Sequence, residues 1–345
     1  MRPGLLSSLV LLGFASSAAG KPAGPDPLFE TRETLQATIA APLTTLVADR
    51  STEEQLAGTF SYTGPGGETV SFDIKIRARG HSRHRICDLP PVWLNFRKSQ
   101  VKDTLFDKQD TLKLAVHCGD SERYEQTVLR EYTAYRILNL VTPLSFQVRL
   151  LRVTWVDTEG ERAQQVRYAF LLEHKDRLAR RIDRKALEID ETSVAALDPG
   201  HLNLTSVFQF LIGNTDFSPI AKPEHNECCH NYVLFSNDRD LLVAIPYDFD
   251  QSGLVSAPYA APGHQFDIRS VRQRVYRGRC QNNDHVTDSI DRFKAVRNNI
   301  FALIETQDGL TRRVRDLLAD YVQQFYDIAD DPRRVDRLIT RKCIL

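Results

Sequence analysis

The stretch Asn203–Leu254 reads NLTSVFQFLIGNTDFSPIAKPEHNECCHNYVLFSNDRDLLVAIPYDFDQSGL. It resolves into an apolar helix, a polar loop holding Asp216, a short strand opening at Asn231, and an apolar strand ending at Asp248-Phe249-Asp250. The expected helix Leu202–Ile212 exits at Gly213, a residue suited to the left-handed conformation of a C-cap. Two-residue spacing on an extended chain points Asp248 and Asp250 the same way. Oxygen ligands of this kind suit magnesium, which takes one or two carboxylates together with substrate phosphates. Taken singly, each residue has a plainer reading. Asp248 and Asp250 fit a solvated acidic turn, Asp216 a local turn among Asn214, Thr215 and Ser218, and Asn231 a strand edge.

Working outward, the residues before this stretch alternate in strand fashion. A hairpin is expected from Gly58–Tyr62 and Thr69–Arg79, joined by the turn Thr63-Gly64-Pro65-Gly66-Gly67. Val70, Phe72, Ile74 and Ile76 alternate with polar residues along its second arm. Val92–Phe96, Thr111–His117, Phe146–Val156 and Val166–Leu172 follow as strands. Tyr124–Leu140 is the clearest helix, with Val128, Tyr132, Tyr135, Ile137 and Leu138 on one apolar flank. Leu35–Val47 has apolar spacing and opens the folded part. From Arg177 onward the pattern turns helical, with Asp291–Thr306 and Thr311–Ala329 as helices after Leu202–Ile212. Strands followed by helices describe an α+β protein with a sheet part and a helical part.

Bulk composition narrows the function. The chain has 345 residues, 42% hydrophobic and 26% charged, which is ordinary globular composition. Lys plus Arg and Asp plus Glu both total 45, giving zero net charge. A protein held to nucleic acid by bulk charge would be clearly basic, so no nucleic-acid partner is expected. At the N-terminus, Arg2, the apolar run Leu5–Phe14 and the small residues Ala15–Gly20 have the order of a cleaved export signal. A signal peptide over 1–19 and a Pro/Gly-rich linker over 20–33 are therefore expected, giving an exported protein, periplasmic or secreted. No segment is long and apolar enough for a transmembrane anchor.

The six cysteines agree with an oxidising compartment. Cys87 and Cys118 flank neighbouring strands and are the first pairing expected. The cluster His225, Cys228, Cys229 and His230 admits either a disulfide or a zinc site, and zinc would make a hydrolase of it. Nucleophilic hydrolase motifs are missing: there is no Gly-x-Ser-x-Gly, no His-Glu-x-x-His and no glycine-rich phosphate loop ending in lysine. His201, His264 and His285 stand alone and read as structural.

A cation for phosphate comes from the first half. Lys113 lies inside the apolar strand among leucines, where it either snorkels or faces a carboxylate or phosphate. Glu131, inside the following helix, could meet it as an ion pair, and Lys75, Lys98 and Lys102 rival Lys113 as the phosphate-facing cation. The basic loop Arg77–Arg85, with Arg79 in it, suits bidentate grip on phosphate, or a solvated or polymer-binding role.

In this order the segments resemble the spore-coat protein H (CotH) kinase-like family from roughly residue 68 to 255. The resemblance rests on Ile76-Arg77-Ala78-Arg79-Gly80-His81-Ser82, on Pro90-Pro91-Val92-Trp93-Leu94-Asn95-Phe96, on Leu129-Arg130-Glu131 and on Tyr168-Ala169-Phe170-Leu171-Leu172-Glu173. It ends in the Asp216 loop and Ile245-Pro246-Tyr247-Asp248-Phe249-Asp250. Two departures stand out: the loop Ser218–His230 is long and carries cysteines, and Val92–Phe96 lacks the basic pair often found there.

The resemblance implies a two-lobed protein-kinase-like fold. Residues 34–172 would form an antiparallel-sheet N-lobe with one embedded helix, and 173–345 a mainly helical C-lobe. It also implies ATP with magnesium or manganese as cofactors. Asp216 would orient the acceptor hydroxyl, Lys113 and Glu131 would anchor phosphate, and Glu173 would lie beside the adenine. Asn231 and Asp248 would hold the metal, with Asp250 in support. The implied activity is phosphate transfer from ATP to Ser or Thr of a secreted or envelope protein. A catalytically inactive scaffold on the same frame, binding proteins or surface polymers, is the alternative.

Overall fold

The computed structural model describes residues 26–80, 83–221, 228–237, 241–263 and 265–345. The expected signal peptide and residues 20–25 of the expected linker lie outside the described residues. The rest of that linker is part of the fold: Leu28 and Phe29 in the turn Pro27–Glu30 are buried against the first core.

Seven strands make the first half: β1 Leu35–Ala41, β2 Leu56–Thr63, β3 Thr69–Ala78, β4 Val92–Phe96, β5 Thr111–Ala115, β6 Val148–Asp157 and β7 Gln165–Leu172. They close into a barrel in the order β1-β2-β3-β4-β5-β7-β6. Every neighbouring pair is antiparallel except β1 with β6, which run parallel from Leu35 opposite Leu151 to Ala41 opposite Asp157. This corrects the expectation of a two-lobed kinase-like fold with an antiparallel-sheet lobe. The segment expected only to open the folded part supplies the closing strand. Its residues Leu35, Ala37, Ile39 and Ala41 alternate inward, and the chain then enters a short helix, Leu43–Asp49, after Pro42. β6 pairs along both edges and is apolar on both faces: Leu151 and Val153 point into the barrel, Val148 and Leu150 into the core outside it.

The barrel is filled, as small barrels are, by side chains. Phe60, Phe72, Phe96 and Phe106 pack with ring centroids 5.0–6.1 Å apart. On the outside of β5–β7, Ala115, Phe170 and Leu172 belong to a second core shared with the helices. The helix Glu122–Val141 lies in that core. It was expected to show one apolar flank, but nearly every residue from Gln126 to Leu138 is buried, including Glu131 and Arg136. Its middle is sandwiched between barrel and helices, so no polar stripe runs along that part of it.

The remaining elements are mainly helical. Pro199–Ile212 is capped by Asp198, which accepts the His201 N–H at 2.7 Å, and ends at Gly213 with φ 65°. A small sheet follows in the order β10-β9-β8, from β8 Lys185–Leu187, β9 Tyr232–Ser236 and β10 Val243–Pro246. The single helix expected over Asp291–Thr306 is two, Val286–Ala295 and Arg297–Thr306, ahead of Arg312–Ala329. Cys87 is bonded to Cys118, as expected from their flanking strands, and Cys280 to Cys343. Cys228 and Cys229 also lie at disulfide distance from each other.

Candidate functional site

A cleft of about 330 Å3 opens where the barrel meets the small sheet. Phe146, Leu172, Leu187 and Leu234 give it an apolar wall, and Trp93, Lys113 and Tyr247 line it beside them, with Tyr247 packed on Phe146 and Lys113 paired with Leu172. Lys113, Leu172 and Tyr247 also line a small recess with Arg79, Glu131, Tyr135 and Asp248. One continuous surface therefore runs from apolar side chains to buried charges.

Strand alternation places Lys113. Leu112 and Leu114 point into the barrel core, so Lys113 between them must point out toward the cleft. Its Nζ lies 4.4 Å from the Tyr247 ring centroid and 5.4 Å from that of Trp93, in range for cation–π attraction. Burial, and then the charge of Arg79, lower its pKa to about 8, with Asp248 acting against them. Arg79 follows the end of β3 and is half-buried, with its Nε out of solvent and without a hydrogen-bond partner. Burial pulls its pKa down while Asp248 opposes that.

Glu131 does not pair with Lys113 as expected. The cation nearest its carboxylate is Arg83, whose Nη1 lies 3.8 Å from Oε2. The same Nη1 donates to Asp250 Oδ2 at 3.0 Å and to the Tyr259 hydroxyl at 2.8 Å. Burial raises the Glu131 pKa to about 8, with Arg83 opposing. Burial, reinforced by Asp248, raises Asp250 to about 6, again against Arg83. Asp250 thus has one carboxylate oxygen committed to Arg83, which leaves it less suited than Asp248 to hold a cation.

Asp248 sits in the left-handed region at φ 61°, a conformation that Asp and Asn adopt more readily than other non-glycine residues. Its N–H donates to the Tyr135 hydroxyl at 2.8 Å, so the helix Glu122–Val141 fixes the turn after β10. Asp216 lies in the loop after Pro199–Ile212. Its Oδ1 is 2.7 Å from His230 Nε2, and Asn231 Nδ2 donates to its carbonyl at 2.8 Å and to Oδ2 at 3.1 Å. Asn231 in turn accepts the Tyr247 N–H on its carbonyl at 3.0 Å, joining the Asp216 loop to the strand that delivers Asp248. The charge of Asp216 is felt at Asp250, so the three acidic residues share one field.

Glu173 lines the cleft, but its carboxylate is bound by Arg181 at 2.9 and 3.0 Å and by the Gln147 N–H at 3.0 Å. Its side chain is a structural anchor. Of the residues in the zinc reading, His225 lies outside the described residues, the two sulphurs face each other and His230 is taken by Asp216. Among the described residues no three His, Cys, Asp or Glu side chains are gathered as a metal site. The oxygen donors nearest that role are the Asp248 carboxylate and the Asn231 amide oxygen, both of the hard type magnesium prefers. Sequence reasoning missed Arg83 as the counter-ion of Glu131 and Asp250, and missed Tyr135 and Tyr247; it read His230 with the cysteines and not as the partner of Asp216. Arg83 lay within the basic loop it singled out, and Tyr247 directly before Asp248.

No family model matches this chain, and no curated protein matches it either.

Proposed function

We propose that the protein is exported, binds ATP in this cleft and transfers its terminal phosphate to Ser or Thr of a secreted or envelope protein, as the resemblance to the CotH kinase-like family implies. The observation that carries the reading is the continuity between the apolar wall of the cleft and the recess holding Lys113, Arg79 and Asp248. A flat base suits the side of Phe146, Leu172 and Leu234, and a polyphosphate suits Lys113 and Arg79. Phosphoryl transfer needs positioning and charge stabilisation more than covalent chemistry, and these cations supply both. Lys113 contributes a point charge, held in place by the rings of Trp93 and Tyr247. Asp216, oriented by His230 and Asn231, would accept a hydrogen bond from the acceptor hydroxyl and align it. Magnesium or manganese, when bound, would neutralise phosphate charge, with Asp248 and Asn231 as its protein ligands. Arg83 has a supporting part, keeping Glu131 and Asp250 from repelling the nucleotide.

Incorporation of labelled phosphate from ATP with magnesium or manganese tests the reading. Asp248→Ala is expected to lower incorporation by about a hundredfold or more, the usual effect of deleting a preorganised electrostatic group, and to abolish thermal stabilisation by nucleotide. Wild-type protein that neither binds nucleotide nor transfers phosphate would sink the reading. A second reading, a catalytically inactive envelope scaffold, is favoured by the engagement of the Asp216 carboxylate with both His230 and Asn231. Nucleotide binding without transfer to any protein would select it.

A further inference from the structure

A second cavity, of about 550 Å3, shares no lining residue with the cleft. It lies between the segment Arg32–Gln36, the helix Glu122–Val141 and the helix Arg297–Thr306, with Arg32, Tyr132, Arg136 and Asn299 in its wall. Arg136 is only 6% exposed. Its Nη1 donates to the Tyr132 hydroxyl at 3.2 Å, and its Nε is buried without a hydrogen-bond partner. Among the described residues no carboxylate forms an ion pair with it. A guanidinium taken out of water normally brings a counter-ion, because an uncompensated buried charge is strongly destabilising.

The surroundings make the imbalance larger. Arg32, at the rim, is held below its ordinary pKa chiefly by the charge of Arg136, so the two cations face each other across the cavity. Arg149, also buried, has its pKa lowered by burial with Glu33 acting against that, and directs its own donors to the carbonyls of Leu28 and Thr31. The wall does contain two acids. Asp308 has Oδ2 engaged by the Thr34 hydroxyl at 2.7 Å, and Glu33 is exposed to solvent. Neither pairs with Arg32 or Arg136.

We propose that this cavity is a binding site for a small oxyanion, the phosphate or carboxylate group of a soluble molecule, held by Arg136 from within and Arg32 from the rim. The planar guanidinium fork of a buried arginine matches two oxygens of either group. An anion there would supply the counter-ion that Arg136 lacks and relieve the repulsion between the two arginines together. The cavity is larger than a bare phosphate, leaving room for the body of a small metabolite beside Asn299 and Leu303.

Titration of the full chain with inorganic phosphate and with succinate, followed by calorimetry and thermal unfolding at matched ionic strength against chloride, tests the site. Saturable binding is expected, unchanged in Lys113→Ala and weakened about tenfold or more in Arg32→Ala and in Arg136→Gln, as loss of a charge-assisted contact predicts. Saturation by phosphate alone, or by succinate alone, supports the site and names the group it prefers. Arg32 is exposed, so its removal reads out binding even where Arg136→Gln does not fold. Binding no stronger than that of chloride overturns the proposal. So does affinity that ignores both arginines but falls in Lys113→Ala, which would put the anion in the cleft.

Discussion

Lys113 is tolerated inside a leucine-bearing strand because its ammonium lies between the rings of Trp93 and Tyr247 rather than in the barrel core. Burial still lowers its pKa from 10.5 to about 8. Below pH 8 the lysine is charged in both folded and unfolded chains. Between pH 8 and 10.5 only the unfolded chain keeps the proton, so this group makes folding more favourable as pH rises through that window. Binding runs the other way. A phosphate contact needs the charged ammonium, so nucleotide affinity should weaken about tenfold between pH 8 and pH 9 or slightly above, following the charged fraction. Calorimetry across pH 7 to 9.5 checks this, and Lys113→Met should flatten the profile; a flat wild-type profile would remove Lys113 from the phosphate site. The positions of Asp216, Asn231 and Asp248 at element ends, and of Lys113 on the outward side of a strand, were legible in sequence because the apolar pattern gives a residue's place along with its type. The partner of Glu131 was not. Arg79, Arg83 and Arg85 look alike in a basic loop without period, and only tertiary packing selects Arg83.

At the scale of elements, Asp157 shows how one side chain ties three segments together. It ends β6 and accepts the N–H groups of Leu43 at 2.9 Å and of Glu161 and Arg162 at 3.1 Å, together with the Thr44 hydroxyl at 2.8 Å. It therefore caps the helix Leu43–Asp49, whose own preceding residue, Pro42, offers no side-chain cap. Asp157→Asn turns one acceptor into a donor facing N–H groups and should destabilise the fold by about 1–3 kcal/mol in urea unfolding at pH 7. Burial acts to raise the carboxyl pKa, but hydrogen bonds led by those from Thr44 lower it from 3.8 to about 2. The stabilisation is then complete above pH 4 and lost as pH falls toward 2, where the variant and wild type should converge. A difference that persists undiminished at pH 2 would assign the effect to packing instead. Such a long-range cap leaves no local trace in sequence. Nor does the break at Val296: Ile290, Phe293, Ile300 and Ile304 keep helical spacing across it, with no glycine or proline to mark the interruption.

The whole molecule depends on pairings between distant segments, and these were the least legible. The β2–β3 hairpin announces itself through its glycine-rich turn, whereas the parallel β1–β6 pair joins residues 35–41 to 151–157 with no turn between them. An alternating apolar segment shows that a strand exists, not which edge it completes, and so the barrel was read as an antiparallel-sheet lobe. The disulfides act at the same range. Cys280–Cys343 spans a sequence separation of 63 and fastens the C-terminal end, where Cys280 N–H also donates to the Ile344 carbonyl at 2.9 Å. Cys87–Cys118 spans 31 and links the loops after β3 and β5. Where each bond acts by restricting the unfolded chain, the two should contribute about 4 kcal/mol each, with the longer loop worth about 0.6 kcal/mol more. Denaturant unfolding of the two double alanine variants under non-reducing conditions measures the order, with fully reduced wild type as the reference. Cys87 is 1% exposed and directly follows the helical turn Arg83–Ile86, its N–H donating to the Arg83 carbonyl at 3.1 Å. A larger loss on removing the shorter bridge would therefore mean that it holds the native position of Arg83, and through it Glu131 and Asp250, rather than merely limiting the unfolded chain.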